Sequence, residues 1–361
     1  MTPLRILVAP SGFKECLHAD AVAEAIAAGL ARACPTTRIT QRPVVDGGEG
    51  FARAMAIAGG GHVEAVRVTG PVGQPVDAHI GWLGGAMAGT AVIEMASAAG
   101  LRLVPRDARD PLLTTTRGVG ELIRAALDRG ARRLLIGCGD SGTNDAGAGM
   151  AQALGFRLLD AAGRDLPPGG AWLARLARID ASGRDRRLDG LPVTVACNTS
   201  VMLSGPGGVA RRFGPQKGAG PVAVRLLEIG LAAFAATAAR DLGVQGLDAL
   251  PGGGASGGLG VGLYALLGAR LRPWQEIVLG GLALDRAIAG ADLVVTAEGG
   301  VDAQTPHGKV PGIIAAQARA MGVPVIALAG SVGPGFEAVH DAGIDAVVST
   351  PGSAMPLDEA I

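Results

Sequence analysis

The amino-acid sequence predicts an α/β protein built on mainly parallel sheets. Short apolar runs recur along the 361 residues, helical patterns alternate with them, and glycine-rich loops follow the runs. The length exceeds that of one usual core, so two domains are the first expectation.

The first run, Ile6-Leu7-Val8-Ala9, reads as a buried strand. Val22, Ile26 and Leu30 then fall four apart within Asp20–Ala33, one face of a helix that Pro35 stops. Between Val66 and Ile93 the texture changes. Alternating segments broken by Thr69-Gly70-Pro71-Val72-Gly73 and Trp82-Leu83-Gly84-Gly85 predict small antiparallel strands. Continuous apolar runs mark parallel strands at Ala91–Glu94, Leu134–Gly137, Val193–Ala196, Leu293–Thr296 and Val325–Leu328. Phe156–Arg164 reads as a hairpin turning on Asp160–Gly163. From Ala249 to Ala269 no charge occurs over 21 residues, a bilayer-spanning length, but eight are glycine and one is Pro251. This stretch is expected to be a loop running into a buried helix.

With 32 acidic and 32 basic residues and no basic run, nucleic acid and membrane are excluded as partners and small-molecule chemistry is favoured. The four cysteines form no C-x-x-C pair and no secretory segment precedes them, which places the chain in the cytoplasm with reduced thiols. Cys138 and Cys197 end apolar runs and are expected to be small core residues. The five histidines show no metal-ligand spacing.

In parallel sheets, ligands sit outside the carboxyl ends of the strands. That places Ser11 to Lys14, Gly137 to Asp145, Cys197 to Ser200, Glu298 to Asp302 and Gly330 to Gly335 at candidate site edges. Lysine occurs three times against 29 arginines, as Lys14, Lys217 and Lys309, each in a Gly/Pro-flanked loop motif. A compact ammonium suits the clamping of phosphate oxygens, with a solvated surface charge as the plain alternative. Gly137-Cys138-Gly139-Asp140-Ser141-Gly142 matches a dinucleotide fingerprint. However, Asp160 lies in the hairpin rather than on a second parallel strand, and Ser141, Thr143 and Asp145 fit phosphate and Mg²⁺ better. Gly205–Gly208 and Gly252–Gly258, the latter containing Gly253 and Gly254, are further loops whose amides can face anions. Thr114–Glu121, with Thr116 and Gly118, opens a helix that suits either an anion or an ordinary cap. Asp46-Gly47-Gly48-Glu49-Gly50 and Glu298-Gly299-Gly300-Val301-Asp302 each hold two acids. Phosphoryl transfer uses such acids for metal and for the attacking hydroxyl, with lysines and amides taking up the phosphoryl charge.

These motifs, in this order, resemble the type-1 glycerate kinases of bacteria along nearly the whole chain. The resemblance rests on Ala9–Glu15, Asp46–Gly50, Val92–Ala96, Gly118–Ile123, Gly139–Gly149, Phe213–Ala219, Gly252–Gly258, Glu298, Asp302–Thr305 and Gly308–Lys309. It implies phosphorylation of D-glycerate with ATP and Mg²⁺, giving 2-phosphoglycerate. The implied fold has two three-layer α/β/α domains with the active site in the cleft between them. The first is expected at 1–90 plus 285–361, and a Rossmann-like domain at 91–284 is inserted into it. On this reading Gly139, Ser141, Thr143, Asp145, Lys217, Gly253 and Gly254 meet the nucleotide. Lys14, Asp46, Glu298 and Lys309 act catalytically, Ser11, Thr116, Gly118 and Asn198 meet the acid, and Glu49 and Asp302 hold the metal. The four acids Asp46, Glu49, Glu298 and Asp302 compete for the metal and base roles. The resemblance leaves room for a homodimer.

The sequence departs from the family pattern at several positions. Ser11-Gly12 replaces an Asp-Ser pair beside Lys14, Asn198 stands for an aspartate, Asp140 for a glycine and Gly300 for a larger polar residue. Asparagine binds oxygen but cannot act as a base. The chain ends at Ile361, short of a last helix that the resemblance implies. Three other readings stay open: a kinase for another small hydroxy or sugar acid, a dinucleotide-dependent oxidoreductase, and a non-catalytic protein that binds nucleotide or glycerate.

Overall fold

The structure, a computed structural model, describes residues 3–13 and 16–350. In chain order its strands are β1 Arg5–Val8, β2 Arg38–Gln41, β3 His62–Thr69, β4 Pro75–Trp82, β5 Thr90–Glu94, β6 Arg133–Cys138 and β7 Arg157–Leu159. They continue as β8 Arg178–Asp180, β9 Val193–Cys197, β10 Arg270–Pro273, β11 Leu293–Val301, β12 Val325–Val332 and β13 Ala346–Ser349. The chain forms two compact α/β units, Met1–Val45 with Val278–Ile361, and Asp46–Ile277 inserted between those segments.

The first unit holds a five-stranded parallel sheet in the order β13-β12-β11-β1-β2. Ile6 and Val8 of β1 pack with Val295 and with Ala23, Ile26 and Leu30 of the helix Ala19–Ala33. The expected helical face is thus the one that covers the sheet.

The second unit holds a six-stranded sheet in the order β10-β9-β6-β5-β4-β3. Its four strands β10, β9, β6 and β5 are parallel, whereas β4 runs antiparallel to both β5 and β3. The antiparallel strands predicted between Val66 and Ile93 are therefore present. They also correct the first domain boundary. Because β4 pairs with β5 at Ile80↔Ile93 and Trp82↔Ala91, residues 46–90 cannot be parted from the second unit without cutting a sheet. The second boundary falls between Ile277 and Val278 rather than after residue 284.

Asp160–Gly163 does form a turn, closed by the Gly163 N–H to Asp160 O and a bridge between Leu159 and Asp165. The main partner of β7, however, is β8, some twenty residues further on. The uncharged stretch after Ala249 becomes a loop and the helix Ala255–Leu267, buried on nearly every side. One helix among the described residues, Pro221–Leu242, is long and apolar enough to cross a membrane. Its Leu227, Leu231, Phe234 and Ala238 are buried in the core of the second unit.

Candidate active site

In the second unit, β6 ends at Cys138 and the chain turns sharply through Gly139 and Asp140, whose φ of 48° is left-handed. That turn carries the Asp140 carboxylate onto the loop Asp46–Gly50, where Oδ2 accepts the Glu49 N–H at 3.1 Å. Asp46 Oδ1 accepts the Gly48 N–H at 3.2 Å. A Cβ on Gly48 would stand 2.1 Å from Asp140 Oδ2 and 3.1 Å from Asp46 Oδ1, so two half-buried carboxylates converge over that glycine. Asn198 follows β9, and its N–H donates to Cys138 O at 3.2 Å. Its Nδ2 lies 3.1 Å from the position of a Gly139 Cβ. Asp46, Gly139 and Asn198, predicted from three separate stretches, thus share one corner.

Asp140 joins them and was not assigned a role by sequence reasoning, which saw only a departure from a glycine. The available signal was an acid inside a glycine run after a parallel strand. Glu49, expected as a metal ligand, instead pairs its carboxylate with Arg102.

Behind this corner the polar residues of the loop face each other. Asp145 is fully buried; its Oδ2 accepts from Thr116 N, Thr116 Oγ1 and Gly149 N at 2.9, 2.9 and 3.2 Å, and its Oδ1 accepts from Gly147 N at 3.1 Å. Thr116 Oγ1 in turn accepts the Met150 N–H at 3.0 Å. One carboxylate thereby ties together the starts of the helices Arg117–Asp128 and Ala148–Ala153. Burial still raises the Asp145 pKa above the usual carboxylate value, with the four hydrogen bonds pulling the other way.

Lys217 is also sealed from water, 2 % exposed, and donates to Ser141 Oγ at 2.8 Å and Thr143 O at 2.6 Å. Burial lowers its pKa to about 7, against the opposing pull of the Asp145 charge. Asp145, Thr116 and Lys217 were expected to face ligands. In the structure Asp145 and Thr116 brace helix ends and Lys217 braces the loop Ser141–Thr143 from within. Thr143 and its neighbour Asn144 are fully buried.

Three glycines serve packing rather than anion binding. A Cβ on Gly118 would meet Thr69 O at 2.1 Å, so this position allows the helix Arg117–Asp128 to lie against β3. The amides of Gly253 and Gly254, expected to cradle phosphate, donate to Leu250 O and Val201 O at 2.9 Å each.

In the first unit, the carboxyl ends of β1 and β11 bring Ser11 beside Ala297, next to Glu298. Ser11 N and Oγ both donate to Ala297 O, at 2.8 and 3.0 Å. Lys309 precedes the helix Val310–Ala320 and donates to Gly300 O at 3.1 Å and Asp302 Oδ1 at 3.2 Å. Asp302 Oδ1 also accepts the Gln304 N–H at 2.8 Å. Burial pushes Asp302 up, but the Gln304 amide and the Lys309 ammonium outweigh it and hold the carboxyl below its usual value. Ser11, Glu298, Asp302 and Lys309 therefore belong to one strand edge. Lys14 lies outside the described residues.

No group of three or more His, Cys, Asp or Glu among the described residues is arranged to hold a metal. Glu49 and Asp302, the two acids expected as ligands, lie in different units and each pairs with a cation.

The model of the glycerate kinase family matches residues 6–361. A glycerate kinase of Bacillus subtilis (strain 168) is 47 % identical over 357 residues, covering 99 % of this chain and 93 % of the relative. A glycerate 2-kinase of Escherichia coli (strain K12) is 46 % identical with the same coverage. A crystal structure assigned to glycerate kinase 2 of Salmonella typhimurium LT2 superposes with a TM-score of 0.80 at 47 % identity, over 99 % of this chain and 93 % of that one. Matched from end to end in both sequence and fold, the chain belongs to the glycerate kinase family.

Proposed function

We propose that the chain transfers the γ-phosphoryl group of ATP to a hydroxyl of D-glycerate, giving 2-phosphoglycerate, in the cytoplasm. The observation that carries this reading is the convergence of Asp46 and Asp140 over Gly48, beside a glycine loop that the buried Lys217 braces. Two half-buried carboxylates whose oxygens approach one point are hard oxygen donors of the kind that Mg²⁺ takes. Mg²⁺ retains waters and phosphate oxygens and asks a protein for one or two carboxylates, the number that Asp46 and Asp140 offer at this corner. Asp46 and Asp140 would hold it, and once bound it would offset charge on the phosphates.

The chain's own groups supply the rest. Lys309 uses two of its three donors on Gly300 O and Asp302, which leaves one N–H for a carboxylate or phosphoryl oxygen. Glu298, near the carboxyl end of β11, would orient or deprotonate the attacking hydroxyl. Lys14 would add a further ammonium, and Lys14→Ala should lower kcat by about 10²–10³. An unchanged kcat in the folded variant would remove that role.

The test is ADP release from Mg-ATP with D-glycerate, beside L-glycerate and tetronates, with phosphorus NMR to locate the new phosphate. Turnover of D-glycerate with the phosphate on C2 supports the reading. A kinase for another hydroxy acid is favoured by Asp140 and Asn198, which put a carboxylate and an amide at one corner where the family pattern has glycine and aspartate. Preference for a tetronate over glycerate would select it.

A further inference from the structure

We propose that Arg102 reads the carboxylate of the acceptor acid and is a specificity-determining residue of this kinase. The identity of the ligand rests on the kinase reading, whereas the placement of the guanidinium does not.

The corner at Gly48 collects negative charge. Asp46 and Asp140 converge over that glycine, and the Glu49 carboxylate stands on the adjoining residue. A hydroxy acid brings a further negative charge, which like charges in a half-buried setting repel. Its carboxylate therefore calls for a cation at the rim of the corner.

The fold puts Arg102 at that rim by a fixed route. After β5 the short helix Ala96–Ala99 leads into a tight turn, Leu101–Leu103, which lies against the loop that follows β6. Gly100 bridges Ser141 in antiparallel fashion, Leu101 N donates to Asp140 O at 2.8 Å, and Gly142 N donates to Ala99 O at 2.9 Å. The two segments approach closely: a Cβ on Gly142 would stand 3.0 Å from Gly100 O and 3.1 Å from Leu101 Cα. Backbone that carries Arg102 is thus tied to backbone that carries Asp140. From this base the side chain reaches the loop Asp46–Gly50 and pairs with Glu49. One arginine spans the two loops whose acids converge.

Folding stability does not account for the arrangement. The Arg102 side chain is 60 % exposed, and an ion pair so open to water contributes little to stability. Its hydrogen-bonding capacity does account for it. A guanidinium has five N–H donors, of which Glu49 takes up one side and leaves the others open to solvent beside the site. The planar fork grips a carboxylate through two parallel hydrogen bonds, a geometry that an ammonium cannot copy. Glu49, expected to hold metal, serves here to aim the guanidinium. Asn198 at the same corner offers an amide to a hydroxyl of the acid. The ligand class is a small hydroxy acid, read by its charge at Arg102.

The test compares the full chain with Arg102→Met, which keeps an unbranched apolar stem, and Arg102→Lys, which keeps the charge without the fork. Both are assayed with D-glycerate and with glyceramide, its neutral amide, the latter by inhibition constant where it is not turned over. Arg102→Met should raise KM for D-glycerate about tenfold, leave KM for ATP unchanged and alter the constant for glyceramide by less than about twofold. Arg102→Lys should fall between the parent and Arg102→Met. An equal loss for acid and amide would show that Arg102 only braces the two loops, and would overturn the proposal. A rise in KM for ATP alone would give the guanidinium to a phosphate and overturn it as well. If the parent protein phosphorylates neither glycerate nor a tetronate, the kinase reading fails by itself. The rise in Tm given by D-glycerate then decides: its loss in Arg102→Met supports the contact, and an equal rise in both proteins, or none in either, refutes it.

Discussion

Burial holds Lys217 near pKa 7, far below the ordinary 10.5 of a lysine. Between those values the unfolded chain carries a proton that the folded chain has released, so this residue makes stability rise as the pH climbs from about 7 to 10.5. Lys217→Met should abolish that increment, and urea unfolding of both proteins across this range would show it. An equal slope in the two proteins would mean that Lys217 meets water. Asp145 acts in the opposite sense. Its folded pKa is raised, so its contribution is greatest in acid and declines as the pH rises above the ordinary carboxylate value. Asp145→Asn places an NH₂ among the amides of Thr116, Gly147 and Gly149 and should destabilise the fold by about 3 kcal/mol, read from denaturant midpoints. Burial likewise pushes the Cys197 thiol up to about 12 and Cys138 well above its ordinary value. Thiol reagents should therefore label the exposed Cys34 quickly in the native protein and leave Cys138 and Cys197 until it unfolds.

Helices in the second unit are placed by close backbone approach and by buried acids at their starts. Glu94 ends β5 and its Oε2 accepts the Ala52 N–H at 2.9 Å in the first turn of the helix Phe51–Ala58. A carboxylate there also complements the helix dipole. At Gly118 the contact with Thr69 O leaves no room for a methyl group, so Gly118→Ala should cost about 2 kcal/mol through displacement of β3. A full-stability variant with an altered KM for the acid would restore the substrate role that the sequence suggested. The strands that were legible beforehand, β1, β5, β6, β9, β11 and β12, carry continuous apolar runs because they lie inside a sheet or under covering helices. Among the strands that no apolar run announces, β2, β10 and β13 are edge strands with mostly exposed or half-buried side chains, and β8 is only three residues long. A similar ambiguity affected the site. Hydroxyls and acids in a glycine loop give the same pattern whether they face a ligand or one another. Asp46, Gly139 and Asn198, read from separate stretches, lie at one corner, whereas Asp145 and Thr116 turn inward to brace helix starts.

At the scale of the molecule, the second unit is one continuous segment with its own buried core, while the first is assembled from two segments more than two hundred residues apart. A fragment of residues 46–277 should therefore fold alone and melt cooperatively, as followed by circular dichroism. Broad, non-cooperative melting would show that it depends on the flanking segments. The pairing of β1 with β11 also orders events during synthesis. Ile6, Leu7 and Val8 leave the ribosome first, yet their partners Leu293, Val294 and Val295 follow nearly three hundred residues later. At about 5–20 residues per second, that apolar strand waits on the order of 15–60 s for its neighbour. For most of that interval the inserted unit is itself still being made, and β1 has only β2 to pair with. Chaperone demand should thus concentrate on the first forty residues rather than on the larger unit that follows them.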